Sequence, residues 1–256
     1  MKDGKKGKSL AARTIAEILF CFQGSPGELG ITEIAQRLGV YTSKIHRIVS
    51  SLEETGLLEK NPITRKYKVG LKLFEIGSLY PIDLNIRRIT NPHALALAKM
   101  FETNVHLGIL SKTFPPSLVV IDRVINLQSK DTVRRISFNI PLHSSAMGKV
   151  FLAFLEKKIS NSILQNIKLD RYTPSTITDK RVLEKELKLI KSQGYAMDKG
   201  ETHSNLYCIS SPIKDKNGIV AAISVSDMRQ KIEKNKDEMI KNIIKTADFI
   251  SYQLGN

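Results

Sequence analysis

ITEIAQRLGVYTSKIHRIVSSLEETGLLEKNPITRKYKVG, residues 31 to 70, holds two short amphipathic helical patterns followed by a basic hairpin pattern. In the first, Thr32 is placed to accept from the N–H groups of the opening turn, and Glu33 sits at the positive end of the helix dipole. Ile34, Ala35 and Leu38 share a face; Gly39 can take the left-handed backbone that stops a helix, and only Val40 and Tyr41 precede the next cap candidate, Thr42. So short a joint predicts a helix-turn-helix.

In the second pattern Ile45, Ile48, Val49 and Leu52 recur at helical spacing and must face inward, so Ser43, Lys44, His46, Arg47 and Ser50 project outward. A cationic face at the start of a second helix suits a major groove: Thr42 and Ser43 can hold phosphates, while Lys44 and Arg47 reach base edges. LLEK and KYKV then read as two strands around the turn Asn61–Arg65, a wing that brings Arg65 and Lys66 to the DNA backbone. Between residues 41 and 70 six Lys or Arg stand against three Glu, and those acids lie at the far end of the second helix or beyond it. An ordinary solvated charged face is the competing reading.

These residues carry a resemblance. TEIAQRLGVYTSKIHRIVSSLEETGLLEK followed by RKYKVGLKLFEIG resembles the winged helix-turn-helix of the IclR (isocitrate lyase regulator) family of bacterial transcription factors. Members usually have a small residue or proline where Tyr41 stands and threonine where Lys44 stands, departures that bear on the operator sequence.

At 256 residues the chain has room for two domains. A net charge of +15 implies a polyanionic partner, most economically nucleic acid. No apolar run approaches the roughly 20 residues that span a bilayer, and MKDGKKGK leads into an amphipathic helix instead of a signal-peptide core, so a cytoplasmic protein without membrane contact is expected. Cys21 and Cys208 fit no metal spacing by themselves and should stay reduced.

Residues 1 to 8 read as a lysine-rich arm. A helix is predicted from Leu10 to Phe22 with Ala11, Ile15, Ile18, Leu19 and Phe22 inward, capped by Ser9 and ended by Gly24-Ser25-Pro26-Gly27. Leu71–Leu79 reads as a linker helix broken by Tyr80-Pro81. A run from Leu84 to Phe101 should end or kink at Thr90, before Pro92, with Ala94, Leu95, Leu97, Ala98 and Phe101 on its apolar side. NVHLGIL, SLVVIDRV and RRISF read as strands, Ser145–Leu155 and Asp179–Gln193 as helices, and YCISSPI with GIVAAISVS as a hairpin. Asp237–Leu254 closes the chain as a helix with Met239, Ile240, Ile243, Ile244, Ala247 and Ile250 on one side.

The expected fold class is multi-domain α+β: a winged helix-turn-helix over 1–70, a helical linker over 71–91 and, as the resemblance to the IclR family implies, a GAF-like α/β effector-binding domain over 92–256. PLHSSAMGKVFLAF and DKGETHSNLYCISSPI through AAISVS resemble IclR effector domains. That resemblance implies a small organic-acid effector at Ala146, Met147, Asp198, Leu206, Cys208, Ser224 and Ser226, and a homodimer or tetramer on double-stranded operator DNA. From the residues alone, a helix start at Ser145 offers N–H groups to an anion, and Ser224 and Ser226 share one side of a strand. Asp198, Leu206 and Cys208 are placed on the strand beside it. The family usually has glycine where Asn139 and Asn205 stand, which bears on loop geometry. Without the resemblance these residues read as core filler, turn caps and satisfied hydroxyls.

Two sharper chemistries compete. Cys208 with His143 or His203 suggests an acyl hydrolase, but no orienting third residue accompanies them, so no enzyme is expected. Zinc on Asp198, a histidine and Cys208 lacks a recognised spacing, so no metal or cofactor is expected. A non-specific nucleoid-type protein is the other DNA-binding reading, against which the second half is read as poorly basic.

Overall fold

The computed structural model describes residues 9–23, 27–79, 84–126 and 140–255. The arm at 1–8, the Gly24–Pro26 helix end, the Tyr80-Pro81 break, the RRISF strand and Asn139 lie outside the described residues. The chain forms two compact units, Met1–Pro81 and Ile82–Asn256.

In the first unit α1 (Leu10–Phe20), α2 (Ile31–Leu38) and α3 (Thr42–Glu54) precede a hairpin of β1 (Leu58–Lys60) and β2 (Tyr67–Val69), then α4 (Leu71–Ser78). Ile18, Leu29, Ile34, Ala35, Ile45, Val49, Leu52, Leu58 and Tyr67 make one core. Ser9 caps α1, but Ala11 and Ile15 face solvent and Thr14 turns inward instead, its hydroxyl donating to the Leu10 carbonyl at 2.9 Å. Two expected caps move upstream. Helix α2 starts from Gly30, whose N–H donates to Glu33 Oε2 at 2.6 Å, so Thr32 is already helical. Helix α3 starts from extended Tyr41, whose carbonyl accepts from Lys44 and Ile45, which makes Thr42 the first helical residue. Gly39, at φ 64°, supplies the left-handed turn between them.

The second unit is built on an antiparallel sheet. Its elements are α5 (Leu84–Phe101), β3 (Asn104–Leu110), β4 (Leu118–Val124), α6 (Ala146–Phe154), α7 (Lys157–Asn166), α8 (Lys180–Gln193), β5 (Ala196–Lys199), β6 (Leu206–Asp215), β7 (Gly218–Met228), α9 (Arg229–Lys234) and α10 (Lys236–Gln253). The strand order is β4-β3-β7-β6-β5. Val105, Leu107, Ile209, Ile223 and Val225 point to α5 and α10, burying Leu97, Phe101, Met239, Ile243, Ala247 and Ile250. The opposite face carries small residues, Ala196 and Ala222 among them, under Val150, Phe151, Leu183 and Leu187 of α6 and α8. Because both faces are covered, β7 is buried from Ala221 to Asp227 without alternation.

Three expectations change here. Of the end or kink expected at Thr90, the end does not occur, and helix α5 runs through Pro92. The lost N–H bond and ring clash cost about 3 kcal/mol; burial of Ile86 before the proline and of Ala94, Leu97, Ala98 and Phe101 after it offsets that. Leu95 falls off the buried stripe and is half exposed. Asp198 lies on β5, which pairs with β6 and not with β7, so it is one strand further from the serines than expected. Helices α7 and α9 were not legible as separate elements.

Gly148 shows how closely α6 is seated: a Cβ there would stand 2.5 Å from both Cα and O of Leu142. Gly148→Ala is expected to destabilise the second unit by about 1–3 kcal/mol, the range for forced overpacking, read from the melting curve.

Candidate functional site

The first candidate surface is the start of α3. Ile45, Val49 and Leu52 fix that helix to the core, and the same turns expose Thr42, Ser43, Lys44, His46 and Arg47. Tyr41, 87% exposed, stands at the helix start, and Ile63, 89% exposed, on the hairpin loop; neither was singled out as a contact, because an apolar ring or side chain alone carries no charge signal. The wing is braced from the segment before α2. Glu28 accepts from Asn61 Nδ2 and Thr64 Oγ1, each at 2.6 Å, which holds its carboxyl below the usual range. Arg65 sits exposed in this turn at φ 60°. Lys66 is turned back, its ammonium 3.1 Å from Glu33, so of the two wing residues expected at DNA, Arg65 alone projects from the tip.

The second candidate is a cavity of about 270 Å³ in the second unit, between the sheet and the first turn of α6. All seven residues expected there line it: Ala146 and Met147 from α6, Asp198 from β5, Leu206 and Cys208 from β6, Ser224 and Ser226 from β7. Register explains why. Asp198 opposes Cys208, which opposes Ser226, while Ser224 opposes His106, and directly opposed residues share a face. Ser145 caps α6, its hydroxyl accepting from the Gly148 N–H at 3.1 Å. The sequence reading missed His106, Arg123, Tyr172 and Thr202, which also line the cavity. The signal of His106 and Arg123 exists only after β3 and β4 are paired, and that of Tyr172 and Thr202, which come from the loops before α8 and after β5, only after those loops close over the sheet.

His203 lines the cavity with Cys208, whereas His143 is not among its lining residues: His143 Nε2 is 3.0 Å from the Asp170 carbonyl, and burial lowers its pKa. Among the described residues, no three His, Cys, Asp or Glu side chains are placed to hold a metal ion.

One buried ion cluster supports the cavity's edge. Lys149 of α6 is fully buried, its ammonium 2.5 Å from Glu201 and 3.5 Å from Glu186 of α8. Asp198 Oδ1 accepts from the Glu201 N–H at 2.6 Å, and Thr173 and Thr176 donate to the carbonyls of Gly200 and Glu201, each at 2.6 Å. A lysine within the apolar run MGKVFLAF was the readable hint of this cluster. Burial pushes Asp198's pKa up against these hydrogen bonds, and pushes Glu201's up to about 7 against the pull of Lys149.

Removing the ammonium leaves a buried carboxylate without its counter-charge. Lys149→Met should therefore cost about 3–5 kcal/mol in chemical denaturation. Because burial raises Glu201's pKa on folding from the ordinary carboxylate value of 4.5 to about 7, its contribution is fully present below about 4.5 and is lost as pH rises through 7. Glu201→Gln should flatten that slope, which melting temperature measured against pH would show.

Comparison with known proteins follows the same division of the chain. Residues 12–62 match the IclR helix-turn-helix domain, and residues 80–252 match the bacterial transcriptional regulator IclR C-terminal domain. The transcriptional regulator KdgR of Dickeya chrysanthemi is 31% identical over 234 residues, covering 91% of this chain and 76% of the relative. XynR of Escherichia coli is 28% identical, covering 85% of each. The crystal structure of Thermotoga maritima IclR shares 34% identity at a TM-score of 0.70, covering 96% of this chain and 98% of that one. An IclR homologue of Microbacterium hydrocarbonoxydans, solved with 4-hydroxybenzoate, shares the fold at 21% identity and a TM-score of 0.77, covering 95% of this chain and 98% of that one. With a helix-turn-helix at one end and the matching α/β unit behind it, the chain belongs to the IclR family of bacterial transcriptional regulators.

Proposed function

We propose that this regulator reads a near-palindromic operator as a homodimer and that a small organic acid in the second unit's cavity changes its operator affinity. The observation that carries the effector reading is the convergence of the seven expected residues, from one helix start and three strands, on a single cavity. The 4-hydroxybenzoate seen in a relative of the same fold supports an acid as occupant. Lys44 and Arg47 read base edges, and Thr42, Ser43 and Arg65 hold phosphates. Two heads about 34–36 Å apart, or a multiple of that, would double the few contacts one head offers.

A dimer is supported by α4, which buries none of its own residues: Phe74 is 73% and Leu71 64% exposed. Apolar side chains in this arrangement fit a second copy of the same helix. An acid shifts operator affinity only as far as it prefers one DNA-binding arrangement over the other.

The non-specific DNA-binding reading gains one observation. Between residues 82 and 256 Lys and Arg outnumber Asp and Glu by 27 to 17, so the second half is not poor in positive charge. The two readings separate by competition. Arg47→Ala should lose about 1–3 kcal/mol on the mapped operator in fluorescence anisotropy and less on a scrambled duplex. Equal losses on both would make this a non-specific binder. Ser224→Ala with Ser226→Ala should leave operator binding intact and abolish its response to the acid that wild type answers; an unchanged response would remove these serines from the effector site.

A further inference from the structure

The cavity floor is ordered by charge across the strands. Arg123 on β4 stands directly opposite His106 on β3, which stands opposite Ser224 on β7, and all three line the cavity. Two residues along the same face, Ser226, Cys208 and Asp198 carry the polar floor on to β5. With strands about 4.8 Å apart, the four spacings from β4 to β5 separate Arg123 and Asp198 by about 19 Å across the sheet, besides the two-residue offset along it. A guanidinium thus stands at one end and a carboxylate at the other, with imidazole, hydroxyl and thiol groups between.

The two ends differ in kind. Arginine keeps its charge at every relevant pH, and its planar fork matches the two oxygens of a carboxylate. Asp198 is an acceptor already engaged with the loop through the Glu201 N–H, so that end welcomes a hydroxyl donor and repels a second acid group. Beside the polar floor, Val120 of β4 and Ile140, which bridges to β4, and over it Met147 of α6, supply apolar surface for a carbon skeleton.

We propose that Arg123, flanked by His106, is the anion clamp of this cavity, and that the ligand is a hydroxylated monocarboxylic acid lying across the strands. Its carboxylate meets Arg123, and its hydroxyls meet Ser224, Ser226 and the Asp198 end. This deepens the effector reading above and rests on it.

The test is calorimetric titration of the full chain with two matched sets of probes: 6-hydroxyhexanoate, adipate and 6-hydroxyhexanamide; gluconate, glucarate and gluconamide. In at least one set the hydroxy acid should bind wild type ~10-fold or more tighter than both its amide and its diacid. Arg123→Gln should weaken the acid by ~10- to 100-fold and leave the amide unchanged, so the preference disappears. Arg123→Lys, which keeps the charge without the fork, should retain part of it and serves if the glutamine variant fails to fold, as judged by circular dichroism. An Arg123→Gln protein that still prefers acid to amide overturns the clamp, and a diacid bound as tightly as the hydroxy acid overturns the ligand class. If wild type binds none of the six, the inference falls; operator affinity that still responds to some other acid would show that the effector reading survives it.

Discussion

A lysine ammonium can be buried only where counter-charge meets it, and much of the second unit's local geometry follows from how Lys149 is met. Its carboxylate partners come from two places that are distant in sequence: Glu201 in the loop after β5, and Glu186 on α8. The pair therefore fixes the loop against α6. The same loop carries the N–H that Asp198 accepts and the carbonyls that Thr173 and Thr176 donate to. Thr202 and His203, next along the chain, line the cavity. Replacing the ion cluster with apolar groups could preserve stability, but it would release the loop that shapes one end of the site.

The cavity itself is a consequence of side-chain size. Under α6 the sheet presents Gly108, Ala196, Ala222, Ser210, Ser224 and Ser226, and a Cβ at Gly108 would stand 2.9 Å from Met147 Sδ. Small residues let the helix approach closely where it packs. Where its first turn lies over the two serines and Cys208, the same smallness leaves space instead of filling it. On the reverse face, Ile209, Ile223 and Val225 are large and fully buried against α5 and α10.

In the first unit the division of labour is simpler. Three inward residues of α3 hold it to the core, and the alternate positions are free to meet a partner. Asn61 shapes the wing's turn locally, its side chain accepting from the Ile63 and Thr64 N–H groups, and a tie to Glu28, more than thirty residues upstream of Asn61 and Thr64, anchors that turn to the segment before α2.

Local periodicity and punctuation were legible in the chain. The spacing of Ile45, Val49 and Leu52, the left-handed Gly39, the turn before Gly218 and the stripe Met239, Ile243, Ala247, Ile250 are properties of near neighbours, and each marks its element directly. What could not be read depended on partners far away in sequence. Gly30 with Glu33 displaced Thr32 as a cap, and packing against the sheet carried α5 through Pro92. The placing of Asp198 on β5, of Arg123 opposite His106, and of Glu201 against Lys149 follows from strand order and loop closure. The sequence by itself determined the helices, the hairpins and the groups that seek a polyanion; only the tertiary structure decided which side chains share a cavity, because sheet register sets that and register is a relation between strands.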